Sequence, residues 1–466
     1  MSFSTLGIGA SALTAAQRGV ETAAHNISAS SVEGYTRQRV QLVTAPPSPG
    51  TAGMRGSGMR GNGVNVVGIE RLRSSVNDLA VRGEAGTAGA TDARAAVLQR
   101  TQDILGPYGA GVPEDLTRLW GAFNALANDP SGQAARQATI DAATRVAGSL
   151  NDAAANLVQI REDTATQIGE QVSEVNSLAS QVAVLNGHIA KALASGLAPN
   201  DMLDTRDLAL DKLASLTGAT STVRENGMVD VLVGGQSLVS GEETVTVTTG
   251  TTPAPAGLSG DDPVVLLGGV PLTSGGSVGG SVKAAATDLR DVERRLDELA
   301  ESIATTVNTQ HAKGFDLEGD AGGAFFSGTR AADLAVDSAL TPDRIAASDR
   351  QVAGGVPMDG ENATALRGLS NPNAAAYGGG PSLSNRVVGL ATLLGSRAAD
   401  AMRTADAADA SLYGLQEQRS AANGVSIDEE MVDLVKFQHS YDAAARVISM
   451  ADDMLDTIIN RMGAGR

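Results

Sequence analysis

The sequence has 466 residues, of which 42% are hydrophobic and only 3% aromatic, and its 53 acidic and 35 basic residues give a net charge of −18. A chain of this length exceeds what one hydrophobic core usually holds, so we expect about two to four packed units. The negative charge disfavours nucleic acid and anionic membrane surfaces as partners, and the absence of cysteine excludes disulfides, thiolate metal sites and thiol nucleophiles.

Residues 3–29 predict an N-terminal helix with a coiled-coil seam. Apolar residues recur every seventh position, with alanines between them, as helix–helix packing requires. The seam consists of Leu6, Leu13, Ala16, Val20, Ala23 and Ile27. From Gly34 to Gly68 the composition changes to Thr, Val, Pro and Gly, which predicts one strand followed by an irregular loop.

Helical spacing returns in the central part of the chain. Residues 70–105, 113–129 and 134–193 predict helices, and a further amphipathic helix is predicted from Asp201 to Gly218.

After this helix the periodicity switches to that of strands. Residues 220–282 read as several short strands, with Asn226-Gly227 as a hairpin turn signal. Residues 283–313 predict another amphipathic helix, and residues 314–385 are mixed and rich in loops.

The C-terminal part, from about Leu383, predicts a second helical block that is interrupted at Asn423-Gly424. Ser426 and Glu429 form a capping box in front of its last helix. That helix keeps the 4-3-4-3 apolar spacing that is typical of a coiled coil. Its seam consists of Ile427, Met431, Leu434, Tyr441, Ala445, Ile448, Leu455, Ile459 and Met462, with Gln438 and Asp452 as polar interruptions.

These elements predict a mainly α fold with an inserted β domain (α+β). The fold comprises paired N- and C-terminal coiled-coil helices, an elongated helical central domain and a small antiparallel β domain. The N-terminal coiled-coil helix with its strand and loop is predicted at 1–69, and the C-terminal helices that pair with it at 386–466. The first part of the central domain is predicted at 70–218, and its second part, a helix followed by mixed α/β structure, at 283–385. The inserted β domain lies between these two parts, at 219–282.

No pattern in the sequence predicts an enzyme. His25, His188, His311 and His439 are scattered without the spacing of a zinc site, and we expect them to be solvated. Residues 56–61 match a dinucleotide-binding pattern, but they follow a proline-rich loop and no helix opens after them, so a surface loop is expected. We predict no catalytic, cofactor or metal site.

For two groups of acidic residues the sequence likewise favours an ordinary structural role. Asp316, Glu318 and Asp320 alternate on a glycine turn as calcium ligands do, but the closing Glu of an EF-hand is missing, which favours an ordinary turn. A second row at helical spacing predicts a solvated helix face. This row consists of Asp201, Asp204, Asp207 and Asp211.

The stretch from Leu13 to Val40 resembles the N-terminal signature of the bacterial flagellar rod/hook axial protein family. The matching positions are Leu13, Ala16, Gln17, Asn26, Ile27, Gly34, Tyr35 and Arg37. The rest of the chain is similar, in register from end to end, to the hook-associated members that join the hook to the filament. Motifs that carry this similarity include LWGAFNALANDPSGQAARQ, VNTQHAKGFDLEGDAGGAFF and NGVSIDEEMVDLVKFQHSYDAAARVI. The similarity is weakest at 220–282 and 351–382.

The resemblance implies a structural subunit of the flagellum that forms a junction ring between hook and filament and is required for filament attachment. The implied partners are copies of itself, the hook protein, the second hook–filament junction protein and a flagellar export chaperone, without nucleic acid and without membrane insertion. It also implies an extracellular location reached by type III export without a cleaved signal peptide. This agrees with the first twenty residues, which lack the apolar run of a secretory signal.

The assembly interface is expected at Asn26 and at the two seams. Its predicted residues are Leu6, Leu13, Ala16, Val20, Ala23, Asn26, Ile27, Ile427, Met431, Leu434, Tyr441, Ala445, Ile448, Leu455, Ile459 and Met462. The nearest alternative is another axial protein, hook or distal rod. A flagellum-borne hydrolase with a carboxylate pair, or an adhesin displayed by the β segment, also stays open.

Overall fold

The computed structural model describes residues 2–46, 61–106, 110–256, 258, 260–351, 359–371 and 381–457. Its helices are α1 (Ser2–Ala29), α2 (Ser75–Arg100), α3 (Val112–Asn128), α4 (Gln133–Ala194), α5 (Asn200–Thr217), α6 (Gly276–Lys283), α7 (Leu289–His311), α8 (Glu361–Gly368), α9 (Leu383–Asn423) and α10 (Ile427–Asp456). None of these described helices is long and apolar enough to cross a membrane. The glycine-rich pattern at 56–61 falls, except for Gly61, outside the described residues.

The strands form four small antiparallel sheets in the described part of the chain. The strands are β1 (Gln38–Thr44), β2 (Val64–Arg71), β3 (Thr220–Val223), β4 (Val229–Val233), β5 (Gln236–Ser240), β6 (Glu243–Thr244), β7 (Val247–Thr252), β8 (Asp262–Leu267), β9 (Val270–Pro271), β10 (Phe326–Ser327) and β11 (Ala335–Val336). β1 pairs with β2, β3 to β6 form one sheet, β7 to β9 form another, and β10 pairs with β11. The prediction of a mainly α fold with small antiparallel β structure is confirmed.

The chain divides into two compact units. Unit 1 consists of Met1–Ala85, Asn176–Val245 and Ala410–Arg466, and unit 2 consists of Gly86–Val175 and Thr246–Asp409. The helices α2, α4 and α9 therefore contribute residues to both units. The predicted β segment contains strands of two separate sheets, one in each unit.

The Asn226-Gly227 turn joins β3 to β4 as predicted. The carbonyl oxygen of the Asn226 side chain accepts a hydrogen bond from the backbone N–H of Met228 at 3.1 Å, and Gly227 has a φ of +81°. Only glycine adopts such a positive φ without a steric penalty, so this residue allows the tight reversal.

The core of unit 2 is built on the apolar stripe of α7. Its members recur at intervals of three or four residues and are all buried: Leu289, Val292, Leu296, Leu299, Ile303 and Val307. They belong to one cluster with residues of α3, α4 and α9, and with Phe123, Phe325 and Phe326. The ring centroids of Phe123 and Phe325 are 5.6 Å apart. Three phenylalanines thus supply much of the large buried surface in a chain that has few aromatic residues.

His311, at the end of α7, was expected to be solvated, but it is fully buried. Its Nδ1 lies 2.8 Å from the carbonyl oxygen of Gly323, and its Nε2 accepts a hydrogen bond from the backbone N–H of Ala346 at 2.9 Å. These contacts require the neutral ring with the proton on Nδ1. The expectation was wrong because the loop that covers the imidazole lies well after α7 in the sequence and leaves no local signal.

We expect His311→Gln to flatten the dependence of stability on pH. Burial lowers the folded-state pKa of His311, so the unfolded chain takes up the proton more readily, and stability falls as the pH drops below about 6.5. Each pH unit in which only the unfolded chain is protonated costs about 1.4 kcal/mol. Urea unfolding midpoints measured between about pH 7.5 and about pH 5.5 report this slope.

The matched control is His439→Gln, since His439 is exposed. This control should keep the slope of the wild-type protein. A His311→Gln variant whose slope equals that of the wild type would contradict the assignment.

Candidate assembly interface

The helices α1 and α10 pack against each other as an antiparallel pair within unit 1. Gly9 lies against Ile448, Gly19 against Phe437, and Asn26 against Glu430, so residue numbers rise along one helix as they fall along the other. The contact is made by small residues on α1. A Cβ atom added to Gly19 would lie 2.4 Å from Cδ1 of Phe437, which means that the phenylalanine ring occupies the space a side chain would need.

Most of the buried residues on α1 are small, and the predicted seam residues divide between this face and its flank. Of the predicted α1 positions, Ala16, Ala23 and Asn26 are buried. The large apolar residues lie at the edge of the contact and are half-buried: Leu6, Leu13, Val20 and Ile27. The backbone of α1 can therefore approach α10 closely, because alanine and glycine stand where a heptad pattern usually places leucine.

The predicted positions on α10 divide in the same way. Leu434, Ala445, Ile448 and Leu455 are half-buried, and Ile427, Met431 and Tyr441 are exposed. Ile459 and Met462 lie outside the described residues. The buried residues of α10 are Glu430, Ala444 and Ala451, and two of them stand one position before the predicted Met431 and Ala445. The helix is thus rotated by one position, or about 100°, from the orientation that the large apolar residues alone would favour.

This rotation leaves an apolar strip along one side of the pair, which we call the lateral strip. It consists of Leu6, Leu13, Val20 and Ile27 on α1 and Ile427, Met431 and Val435 on α10. On both helices these residues turn away from the contact face in the same sense. The two helices run in opposite directions and face each other. An offset in the same sense along each chain therefore brings the apolar residues of α1 and those of α10 to the same side of the pair. Ile427, Met431 and Val435 are 52%, 48% and 45% exposed.

A buried polar contact fixes the register of the pair. Asn26 is 1% exposed, and its Nδ2 donates to Oε2 of Glu430 and to the carbonyl oxygen of Gln38, both at 2.9 Å. Its Oδ1 accepts from the hydroxyl of Tyr35 at 2.7 Å and from the backbone N–H of Gln38 at 3.0 Å. Both hydrogens of the amide and both lone pairs of its oxygen are therefore used.

Arg37 neutralises the buried carboxylate of Glu430. Its Nε donates to Oε1 of Glu430 at 2.6 Å and its Nη1 to Oε2 of Glu429 at 2.7 Å. Burial works to lower the pKa of Arg37, but Glu430 and Glu429 outweigh it and raise that pKa. Burial and the nearby carboxylates also raise the pKa of Tyr35. Both groups therefore keep their hydrogen-bonding protons across the physiological range. We call Asn26, Tyr35, Arg37 and Glu430 the polar latch.

Two of the four aspartates of α5 are not solvated, contrary to the sequence prediction, whereas Asp201 is exposed as expected. Asp204 and Asp207 are buried, and Nη1 of Arg71 donates to both, at 2.7 and 2.9 Å. Burial alone would raise the pKa of Asp207, but Arg73, Arg71 and Arg82 outweigh it and lower that pKa. The prediction failed because these arginines lie at the end of β2, in the short connection after it and in α2, more than a hundred residues earlier in the sequence.

The turn at Asp316 forms as the sequence predicts. Oδ1 of Asp316 accepts hydrogen bonds from the backbone N–H groups of Glu318 and Asp320, both at 2.9 Å. The three carboxylates lie within 4.8 Å of one another. The first is occupied in closing the turn, as an aspartate at the start of a turn commonly is.

Known proteins resemble the chain over most of its length. Residues 98–326 match the model of the flagellar hook-associated protein FlgK helical domain, and residues 416–462 match that of the flagellar basal body rod FlgEFG protein C-terminal region. Flagellar hook-associated protein 1 of Bacillus subtilis is 28% identical over 97% of both chains, and that of Escherichia coli is 24% identical over 97% of this chain and 98% of its own.

The chain is thus similar to flagellar hook-associated protein 1 over nearly its whole length. A solved structure of the flagellar hook junction protein FlgK from Burkholderia pseudomallei shares its fold, with a TM-score of 0.62, 19% identity, and coverage of 75% of this chain and all of that one. The resemblance stated from the sequence is confirmed. The family signature includes three members of the polar latch, Asn26, Tyr35 and Arg37, whereas Glu430 was missed. The only sign of Glu430 in the sequence is that an acidic residue stands directly before Met431 of the predicted apolar seam.

We expect Gly19→Ala to weaken the terminal helix pair. The added methyl group displaces Phe437, and overpacking of this kind costs about 1–3 kcal/mol. Gly7→Ala is the matched control, because Gly7 lies on the same helix with no atom within 4 Å of its added Cβ. The control should stabilise α1 by about 1 kcal/mol. Hydrogen exchange of the α1 and α10 amides measures both, and equal protection in the two variants would contradict the packing.

We expect Asn26→Asp to open the polar latch, because it removes the Nδ2 donor and places a second carboxylate 2.9 Å from that of Glu430. Breaking a buried charged contact in this way costs about 3 kcal/mol or more. The amides of α1 should then exchange faster.

The double variant Asn26→Asp with Glu430→Gln returns an amide donor opposite the new carboxylate. It should recover most of the lost protection. If the two substitutions instead add their losses, Asn26 and Glu430 are not coupled.

Proposed function

We propose that this protein is a structural subunit of the hook–filament junction of the bacterial flagellum and not an enzyme. The observation that carries this proposal is the terminal helix pair, which leaves an apolar strip partly open. The chain that carries this pair is similar over nearly its whole length to flagellar hook-associated proteins 1, and it shares its fold with a protein named for the flagellar hook junction. Apolar residues in a row on a surface are characteristic of protein interfaces. An assembled structure covers the strip, whereas a free monomer exposes it.

In this proposal the lateral strip packs against neighbouring subunits. Copies of the same chain form a ring, with hook protein on one side and the second junction protein on the other. Apolar contacts suit a joint that transmits torque, because salt does not screen them as it screens exposed ion pairs. Six of the predicted interface residues belong to the strip, namely Leu6, Leu13, Val20, Ile27, Ile427 and Met431.

The same features fit export of an unfolded chain. The α1 face is built of glycine and alanine, which bury little area, and ordering the backbone costs about 1–2 kcal/mol per residue. The pair is therefore only weakly stable before assembly. In this proposal a flagellar export chaperone binds the exposed face of α10 until the chain leaves the cell by type III export. The protein then acts outside the cell, in the flagellum.

Deletion of the gene tests the proposal. We expect hooks without filaments in electron micrographs and unattached flagellin in the medium. Missing hooks would instead point to a rod or hook component, and normal filaments would overturn the structural role.

Complementation of the deletion tests the lateral strip. Leu13→Asp and Met431→Asp place a charge in the strip at half-buried and exposed positions, so the monomer should still fold and be secreted, yet filaments should not attach. Val388→Asp is the matched control at a 63% exposed position of unit 2 and should restore filaments. Restoration by all three variants would show that the strip is not an interface.

A further inference from the structure

A groove in unit 1 is lined by arginines and lies beside the buried aspartates. It is bounded by the end of β2, the start of α2, α5 and β3, and has a volume of about 750 Å³. We call it the arginine groove. Its basic lining residues are Arg71, Arg73, Arg82 and Arg206.

Arg206 differs from the other three arginines in having no carboxylate partner among the described residues. Arg71, Arg73 and Arg82 each bind an aspartate at 2.9 Å or less. Arg206 is 3% exposed, and its Nη1 donates only to neutral oxygens, the side chain of Asn186 at 3.0 Å and the carbonyl of Gly227 at 2.7 Å. Its Nε makes no hydrogen bond. Among the described residues, Arg206 is therefore the one arginine of the groove whose buried guanidinium touches no carboxylate directly.

The pKa of Arg206 agrees with this arrangement. Burial lowers it to about 10; Asp207 opposes the shift, and Arg71, Arg82 and Arg73 add to it. A carboxylate brought into the groove would relieve both the burial cost and the repulsion.

The mouth of the arginine groove is apolar. Val76 and Leu79 lie three residues apart on one face of α2 and are 75% and 61% exposed, and Val223 on β3 is 69% exposed. A free inorganic anion gains nothing from such a rim. A polypeptide segment that carries a carboxylate next to aliphatic side chains matches both the arginines inside the groove and the apolar residues at its mouth.

The first turns of α10 carry these groups. Asp428 is exposed and makes no ion pair with any described residue. One and two turns later on the same face stand Val432 and Val435, 68% and 45% exposed. Asp428 and Val432 are each two positions from the buried Glu430, so they point away from α1. None of the three lines the arginine groove of its own chain.

We propose that the arginine groove of one copy binds the first two turns of α10 of a second copy, with Asp428 facing the arginines and Val432 against Val76 and Leu79. This inference rests on the proposed junction role. The contact joins two different surfaces, and such heterologous contacts generate rings or helical arrays. It gives the subunits a directional lateral bond besides the lateral strip.

Cross-linking between copies tests the contact in assembled flagella. The chain has no cysteine, so Leu79→Cys and Val432→Cys, co-expressed as two single variants, allow a short bis-maleimide to join only different copies. We expect a dimer whose linked peptides contain positions 79 and 432. Absence of that dimer, or linkage of position 79 to another protein, would overturn the proposal.

The control replaces Leu79→Cys by Val184→Cys, which lies in unit 1 outside the groove and is 55% exposed. This pair should give no dimer with position 432. A dimer of equal yield would show that the linkage is not specific to the groove.

Charge at the rim tests the chemistry of the contact. Leu79→Glu and Leu79→Lys alter the same exposed position, so both variants should fold. With Val76→Cys in place of Leu79→Cys as the cross-linking site, we expect the Glu variant to lower the yield about tenfold, because it repels Asp428, and the Lys variant to keep it. Equal yields would overturn the role of Asp428.

The two proposals fail separately. Filaments that attach normally without the gene would end the junction role. Filaments that depend on the gene, together with no link between positions 79 and 432, would leave that role intact and remove only this contact.

Discussion

The hydrogen bond between Asn26 and Glu430 determines how the two ends of the chain meet. A carboxylate that is 3% exposed is costly unless it is paired, and here Asn26 and Arg37 satisfy it together. A slip of α10 by one turn would separate Glu430 from both Asn26 and Arg37 and leave a buried carboxylate without these partners. Glycine and alanine on the rest of the α1 face pack almost as well in a shifted register, so the polar latch supplies the specificity that their packing does not.

Arginine–aspartate pairs hold the surroundings of this helix pair in place. Arg71 ends β2 and binds Asp204 and Asp207 of α5, and the backbone N–H of Thr36 donates to Asp204 at 3.1 Å. The segment between α1 and the β1–β2 hairpin is thus tied to α5 by a hydrogen bond to a buried carboxylate as well as by contact between Gly34 and Leu208. The negative net charge of the chain does not describe this region, because its arginines are concentrated where aspartates are buried.

The sequence allowed the helices to be predicted well, since α7 and α10 have long, regular apolar spacing that only a helix can bury. It also allowed pairing of the chain ends to be predicted, but not the orientation of α10. Large residues such as Met431 favoured one seam, whereas close approach at Gly19 selected another. His311, Asp204 and Asp207 were misjudged for one common reason. Their partners are distant in sequence, and burial of a polar residue leaves no local periodicity.

The rotation of α10 has a consequence for assembly. Had the large apolar residues filled the contact with α1, the pair would be more stable alone and would offer less apolar surface to a neighbour. Burying small residues and a polar latch instead keeps the register while leaving Ile427, Met431 and Val435 outside. In the proposed junction role, stability is thereby moved from the monomer to the assembled state, where a partner covers each strip. The proposed export of an unfolded chain is consistent with this distribution, because a terminal pair that is weakly stable alone unfolds readily before it binds a partner.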